Sequence, residues 1–506
     1  MALCYRLRGT QTSAASRSGA VTRGLSMRDA IARALEAATS AGASYADARV
    51  VESMHERLSV RTGRVEGIES GESLGIGIRV IAAGAWGFAA TADLSADGVR
   101  AAAAEAVALA RAAATTARAP VVLSPVDAYR DTWTGPCEID PFTIATEDKL
   151  AILLAADEAM RAEAAVRVSS ASLDFLHVHK VFGSSEGSLI EQVYTESQAG
   201  IVAYAIGDGE MLPRSYPNSH GGQAVQGGWE TILALDLAGN APRVGEQAAA
   251  LLSAAPCPAE TTTVIIDGSQ IALQVHESIG HPTELDRVLG DEAAFAGTSF
   301  LGLNDVDTFR YGSEHVTVTA DATVPGSLGS FGYDDEGVPA QRDFLVVGGV
   351  LSSFQSSRES APAIGRTSNG CMRADGWNRQ PLVRMTTVSL EPGTWDFDDL
   401  VASTESGIYL ETNNSWSIDD KRLNFQFACE IGWEIRSGEL GRMIKNPNYT
   451  GITPAFWGSC DAVCSTDHWR VWGIPNCGKG EPMQVAHVAH GAAPARFRDV
   501  RVGVGR

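Results

Sequence analysis

Residues 274–282 read Gln274-Val275-His276-Glu277-Ser278-Ile279-Gly280-His281-Pro282, so two imidazoles flank a carboxylate. Neutral imidazole is the commonest zinc ligand, and a catalytic zinc takes three protein ligands and leaves one position for water. The ion draws that water's pKa towards neutrality, and Glu277, beside the first histidine, is placed to take its proton. The spacing is not that of H-E-x-x-H, in which the two histidines share a helix face. At about 100° per residue, five steps of a regular α-helix leave the rings roughly 140° apart. A π-turn of about 4.4 residues would reduce that to roughly 50°. Gly280 tolerates a distorted backbone and Pro282 lacks an N–H, so the segment predicts an i→i+5 bond or a helix end within 277–282. The residues alone leave a second reading open, in which two unrelated histidines flank a helix that Gly280 and Pro282 terminate.

The elements that must carry this segment follow from length, periodicity and turn signals. A chain of 506 residues is too long for one core and implies several domains. Hydrophobic residues at 44% and charged residues at 20% fit a globular protein. The net charge of −21 leaves no basic surplus for phosphates, which argues against a non-specific nucleic-acid binder. No apolar run spans a bilayer, so no membrane segment is expected. The first 28 residues hold five arginines and no acid. We read residues 1–25 as a disordered or targeting extension, with Met27 as an alternative start.

The expected fold class is α+β. Residues 26–120 give an N-terminal α/β-sandwich-like domain: a capped helix from Ser26, short β runs at 46–52, 58–61, 65–68, 73–81 and 86–91, and an Ala-rich helix over 93–118. Residues 121–255 give a middle mixed domain, entered through a Pro-containing linker at 124–141 and closed by a helix near 244–253. Residues 256–506 give a β-rich C-terminal catalytic domain with one metal-binding helix. The eight cysteines are too few and too scattered for a disulfide framework. Cys460, Cys464 and Cys477 cluster near the C-terminus. His177 and His179 alternate on a strand and read as packing, and His487 and His490 as structural or substrate-facing.

The run His276-Glu277-Ser278-Ile279-Gly280-His281-Pro282-Thr283-Glu284-Leu285-Asp286 resembles the H-E-x-x-x-H motif of the TldD/PmbA family of metallopeptidases. Ser368-Asn369-Gly370, Pro381-Leu382-Val383-Arg384-Met385-Thr386, Gly407-Ile408-Tyr409-Leu410-Glu411 and Asn476-Cys477-Gly478-Lys479-Gly480 also resemble family elements, and the domain order is similar from about residue 27 onward. The resemblance implies a metal-bearing, TldD-type subunit and a cytoplasmic, Zn2+-dependent peptidase that hydrolyses unfolded or modified peptides, its zinc-bound water activated by Glu277. It also implies a dimer with a TldE (PmbA)-type partner or with itself. By the same resemblance the metal ligands are His276, His281 and Cys477, with Cys460 and Cys464 as rivals for the third place. A regulatory or binding subunit with a structural metal, or a zinc amidase acting on a non-peptide substrate, are the competing functions.

Overall fold

The computed structural model describes residues 25–503, so the reading of 1–25 as an extension lies outside the described residues, Leu25 apart. The Ser26 side chain accepts from the Asp29 amide and opens α1 (Met27–Ser40), whose Ala30, Ile31, Ala34 and Ala38 recur at helical spacing and are buried. Then come β1 (Tyr45–Arg61), β2 (Arg64–Ala82), β3 (Ala85–Thr91), α2 (Ala96–Ala114), β4 (Arg130–Thr134), α3 (Thr146–Met160), β5 (Val166–Ser184) and β6 (Leu189–Gly207). β7 (Glu210–Tyr216), β8 (Gln223–Gln226), α4 (Trp229–Ala234) and α5 (Leu237–Leu251) complete this half.

Two expectations are corrected here. The separate β runs over 46–81 are two long strands, registered from Tyr45↔Ile81 to Arg61↔Arg64. Their polar middles stay extended because β1 pairs β2 on one side and β5 on the other, which satisfies the backbone without an alternating apolar face. The 124–141 linker holds β4, paired parallel to β6. Pro125 and Pro136 flank that strand without entering it, where they would remove a ladder donor. The resulting sheet runs β3-β2-β1-β5-β6-β4, with β7 and β8 also on β6, so the first two stretches of the chain share one sheet.

The remainder contains β9 (Ala255–Pro256), β10 (Glu260–Ile266), α6 (Gly268–Val275), α7 (Leu285–Leu289), β11 (Val318–Asp321), β12 (Arg342–Val347), β13 (Val350–Leu351), β14 (Met372–Arg373), β15 (Leu382–Val383) and β16 (Thr387–Leu390). After them come α8 (Phe397–Ala402), β17 (Ser406–Ile418), β18 (Asn424–Arg436), β19 (Glu439–Lys445), β20 (Asn448–Ile452), α9 (Thr453–Gly458), β21 (Cys460–Val463), β22 (Arg470–Lys479), β23 (Gln484–Ala492) and β24 (Ala495–Val502). One sheet is ordered β17-β10-β24-β20-β18-β19-β9, and the β17–β18 pairing closes five of its strands into a barrel. A second sheet runs β13-β12-β11-β16-β23-β22.

Between barrel and sheet lies α6, touching β17 on one side and β16, β22 and β23 on the other. Every residue of this helix is buried, as a helix enclosed on all sides requires. Its two glutamines are linked through one hydroxyl: Gln270 donates to the Tyr449 hydroxyl at 2.9 Å, and that hydroxyl donates to Gln274 at 2.9 Å. No helix among the described residues is long and apolar enough to cross a membrane.

Candidate metal centre

β10 runs into the core as Val264-Ile265-Ile266, and the Asp267 carboxylate caps α6 by accepting from the Ser269 amide at 2.8 Å. The helix then widens. Residues His276–Gly280 form a π-turn in which the His281 N–H donates to the His276 carbonyl, the expected i→i+5 bond. Gly280 is required for close approach, since a Cβ there would lie 2.2 Å from Met385 Sδ. Pro282 sits in the 3-10 turn that follows, His281–Thr283. The widened turn brings the His276 and His281 ring centroids to 4.7 Å.

Cys477 arrives from β22, with Sγ 3.7 Å from His281 Nε2. One donor atom each from His276, His281 and Cys477 lie within 4.8 Å of one another, the spacing of a site that can hold one ion. Burial presses the His276 pKa down to about 4 and lowers that of His281, so both rings are neutral and have a lone pair to give. Burial alone would raise the Cys477 thiol, but the His281 ring and the Arg384 guanidinium outweigh it and favour the thiolate. Arg384 also donates to the Cys477 carbonyl, fixing the strand beneath the sulfur.

Which ring nitrogen faces the ion is set by what holds the other one. His490 Nδ1 is 2.8 Å from the Val388 carbonyl, which only accepts, so that nitrogen carries the proton. His490 Nε2 is therefore an acceptor, and His276 Nδ1–H donates to it at 2.8 Å. The Nε2 of His276 is left with its lone pair free. His281 Nδ1 donates to the Glu284 carboxylate at 2.9 Å, which frees its own Nε2 in the same way. Burial would raise Glu284, but Lys479, His281 and Arg287 hold its carboxyl well below the usual range, so it stays an anion. Lys479 lies 3.4 Å from Glu284 and donates to Asp286 at 2.8 Å, tying the Cys477 strand to the histidine segment.

Glu277 is 5% exposed and accepts from Arg422 Nη1 at 2.5 Å. Arg422 stands at the β17–β18 turn with φ +64°, and its carbonyl accepts from the Thr453 hydroxyl at 2.8 Å. The structure thus gathers His276, Glu277, His281 and Cys477 in one place. It leaves Cys460 and Cys464 outside the triad, as buried thiols whose pKa burial pushes up to about 12. His177 contacts Thr195 and His179 contacts Glu191, both on the first sheet. Sequence reasoning assigned no role to Glu284, Lys479 or Arg422 and read His490 only as structural or substrate-facing. The one signal available was the position of Glu284, three residues after His281.

With the geometry established, comparison with known proteins gives a consistent result. Profiles of the PmbA/TldA metallopeptidase family match in chain order: domain 1 over residues 46–110, the central domain over 139–255 and the C-terminal domain over 259–503. The chain is similar to the metalloprotease MJ0996 of Methanocaldococcus jannaschii, 30% identical over 416 residues, or 80% of this chain and 86% of that protein. It is also similar to a metalloprotease of Methanothermobacter thermautotrophicus, 30% identical over 459 residues, 91% of this chain and 95% of the relative. A zinc metalloprotease TldD homolog of Saccharolobus solfataricus is 23% identical over 245 residues, 47% of this chain and 51% of the relative. The crystal structure of TldE from Thermococcus kodakarensis superposes with a TM-score of 0.71 at 16% identity, covering 94% of this chain and all of that one (100%). That likeness shows the fold alone.

Proposed function

The chain belongs to the PmbA/TldA metallopeptidase family, and from that premise we propose that it is the metal-bearing catalytic subunit of a zinc-dependent peptidase for unfolded or modified peptides. One observation carries this reading: two neutral imidazoles and a thiol lowered towards its thiolate offer donor atoms within 4.8 Å, beside a carboxylate that holds no place in the triad. This donor set fits zinc, since N and S donors in threes leave a fourth position open. His276, His281 and Cys477 would hold the ion, which would supply a Lewis acid that polarises the scissile carbonyl and acidifies a water.

The chain's own residues do the rest. His490 and Glu284 orient the two imidazoles, and burial keeps both neutral. Glu277 takes a proton from the attacking water as oxygen bonds to the carbonyl carbon. It then delivers that proton to the amine nitrogen as the C–N bond breaks. Burial defines the substrate class. His276, Glu277, His281 and Cys477 are all 3–5% exposed, so a folded protein cannot present a bond to them. An extended chain can, entering as a single strand whose backbone is free to be bonded. In this reading residues 256–506 are the catalytic unit, while 26–120 and 121–255 frame the approach. The enzyme works in the cytoplasm, paired with a TldE (PmbA)-type subunit or with a second copy.

A purely structural metal would call for a fourth protein ligand, and among the described residues no fourth side chain joins the triad. The test is metal analysis of purified protein, then cleavage of an unstructured peptide with and without chelator, alone and with a metal-less homologue. We expect about one zinc per chain and cleavage abolished by chelation. Absence of zinc, with cleavage indifferent to chelators, refutes the proposal.

A further inference from the structure

Among the buried nitrogens near the candidate centre that have no hydrogen-bond partner are two that come from different parts of the fold. One is His220 Nε2 and the other is Arg422 Nε. Buried polar atoms are nearly always paired, so an unpaired one calls for an explanation.

His220 lies in the loop between β7 and β8. That loop is laid directly on β6: Gly222 has φ +95°, and a Cβ there would come within 1.8 Å of the Ala199 carbonyl oxygen. The His220 backbone is held at both ends, its amide donating to Asn218 at 2.9 Å and its carbonyl accepting from Gln198 at 2.8 Å. The ring meets the edge of Trp416 at 5.7 Å between centroids, on the same hairpin that carries Arg422 at its turn. The first sheet therefore sends one fixed imidazole against the catalytic half. Burial, with a smaller contribution from the nearby His276 ring, pushes its pKa down to about 4, so the ring is neutral near pH 7. Arg422 approaches from the barrel side and is anchored by the 2.5 Å contact with Glu277.

We propose that His220 and Arg422 are further catalytic residues, forming the pocket that receives the carbonyl oxygen of the scissile bond and the negative charge it gains during attack. This deepens the peptidase reading above and rests on it. A neutral imidazole N–H and a guanidinium N–H are both donors and can bond an oxygen that becomes an anion. Neither group takes or gives a proton, so the proton account of Glu277 is unchanged. Substrate entry supplies the acceptor that both nitrogens lack in the free protein. It also draws the guanidinium from Glu277 towards the oxygen, which releases the base. His220, whose backbone is fixed before the substrate arrives, needs no reorganisation as charge develops, and Arg422 completes the pair on substrate entry.

The experiment uses the full-length, zinc-loaded protein, with its partner subunit if cleavage requires one, and an unstructured peptide that the wild type cleaves. His220→Ala and Arg422→Gln should each lower kcat by about 10²–10³-fold, the usual loss for one such donor, with KM within about threefold. His220→Gln, which restores an N–H, should recover part of the loss. As a readout apart from turnover, calorimetry with a phosphinic analogue of the same peptide should show affinity falling by the factor lost in kcat/KM. Affinity for the uncleaved D-residue peptide should stay level. The proposal is overturned if His220→Ala keeps kcat within threefold. It is also overturned if analogue and ground-state peptide weaken equally, or if the variants lose zinc or melt early and so reveal a structural role. A wild type that cleaves nothing refutes the peptidase reading itself, and that result is visible before any variant is made.

Discussion

Replacing His490 tests whether the neighbours of the triad control the metal. In His490→Leu the buried His276 Nδ1–H loses its acceptor, and the ring is only 3% exposed, so water cannot replace it. An unpaired buried donor costs about 1–3 kcal/mol. The ring can relieve this by moving its proton to Nε2, but Nε2 is the atom that must bind the ion. Either route penalises the zinc-bound state. Loss of an outer partner typically lowers metal affinity 10–100-fold, which is about 1.4–2.7 kcal/mol and agrees with the first figure. His490→Gln keeps a side-chain oxygen as acceptor and should stay within about fivefold of wild type. Zinc affinity measured by competition with a chromogenic chelator reads the difference, and the melting temperature of the apo-protein checks the fold. Equal affinity in the wild type and both variants would refute the reasoning, because the proton on His276 would then not be set by His490.

Three further outcomes follow. Glu277→Gln should retain zinc and lose peptide cleavage by several orders of magnitude, read by metal analysis beside turnover. Gly280→Ala should cost about 1–3 kcal/mol by driving a methyl against Met385. Denaturant titration would show that loss, and Met385→Ala in the same chain should recover part of it through coupling of the two sites. For His487, burial would lower the pKa, but Glu196 outweighs it and the net shift is upward. A raised folded-state pKa stabilises fully below the unfolded value of about 6.5 and is lost as pH climbs through the folded one. The melting-temperature gap between wild type and His487→Gln should thus be widest near pH 6 and close by pH 9.

The fold class was legible because period and punctuation agree over most of the chain. Ser26 and Asp29 cap a helix where the pattern starts, and Gly63 turns two strands at φ +77°. What local pattern could not give was strand length. The polar stretch around Glu56 looks like a break, yet β1 runs through it because β2 and β5 supply hydrogen bonds on both sides. Pairing across more than a hundred residues of chain decides that, and no window of sequence contains it. β4 escaped for a related reason, since five residues beside prolines become a strand only once β6 is there to accept them.

The candidate site divides along the same line. Five-residue spacing together with the demand that two rings meet one ion forces a widened turn, and Gly280 beside Pro282 shows where it can occur, so this part was readable from nine residues. The partners of the two rings were not equally readable. Glu284 lies within helical reach of His281, whereas His490 is 214 residues from His276 and reaches it through strand register alone. In β22–β23 the pairs are Cys477↔Ala486, Ile474↔Val488 and Trp472↔His490. Along β23 the alternate residues 486, 488 and 490 share one face. Across from them, Ile474 and Cys477 are three residues apart and would oppose each other in a regular strand. The irregularity between them adds a residue, so both are buried on the side of α6 while Asn476 and Gly478 are exposed. That bulge aims the thiol at His281 and leaves His490 under His276 on the neighbouring strand. Without that bulge, the same three steps taken in a regular strand would turn the sulfur to the outer face and uncouple the ligand from its partners, although every residue of the site would still be present.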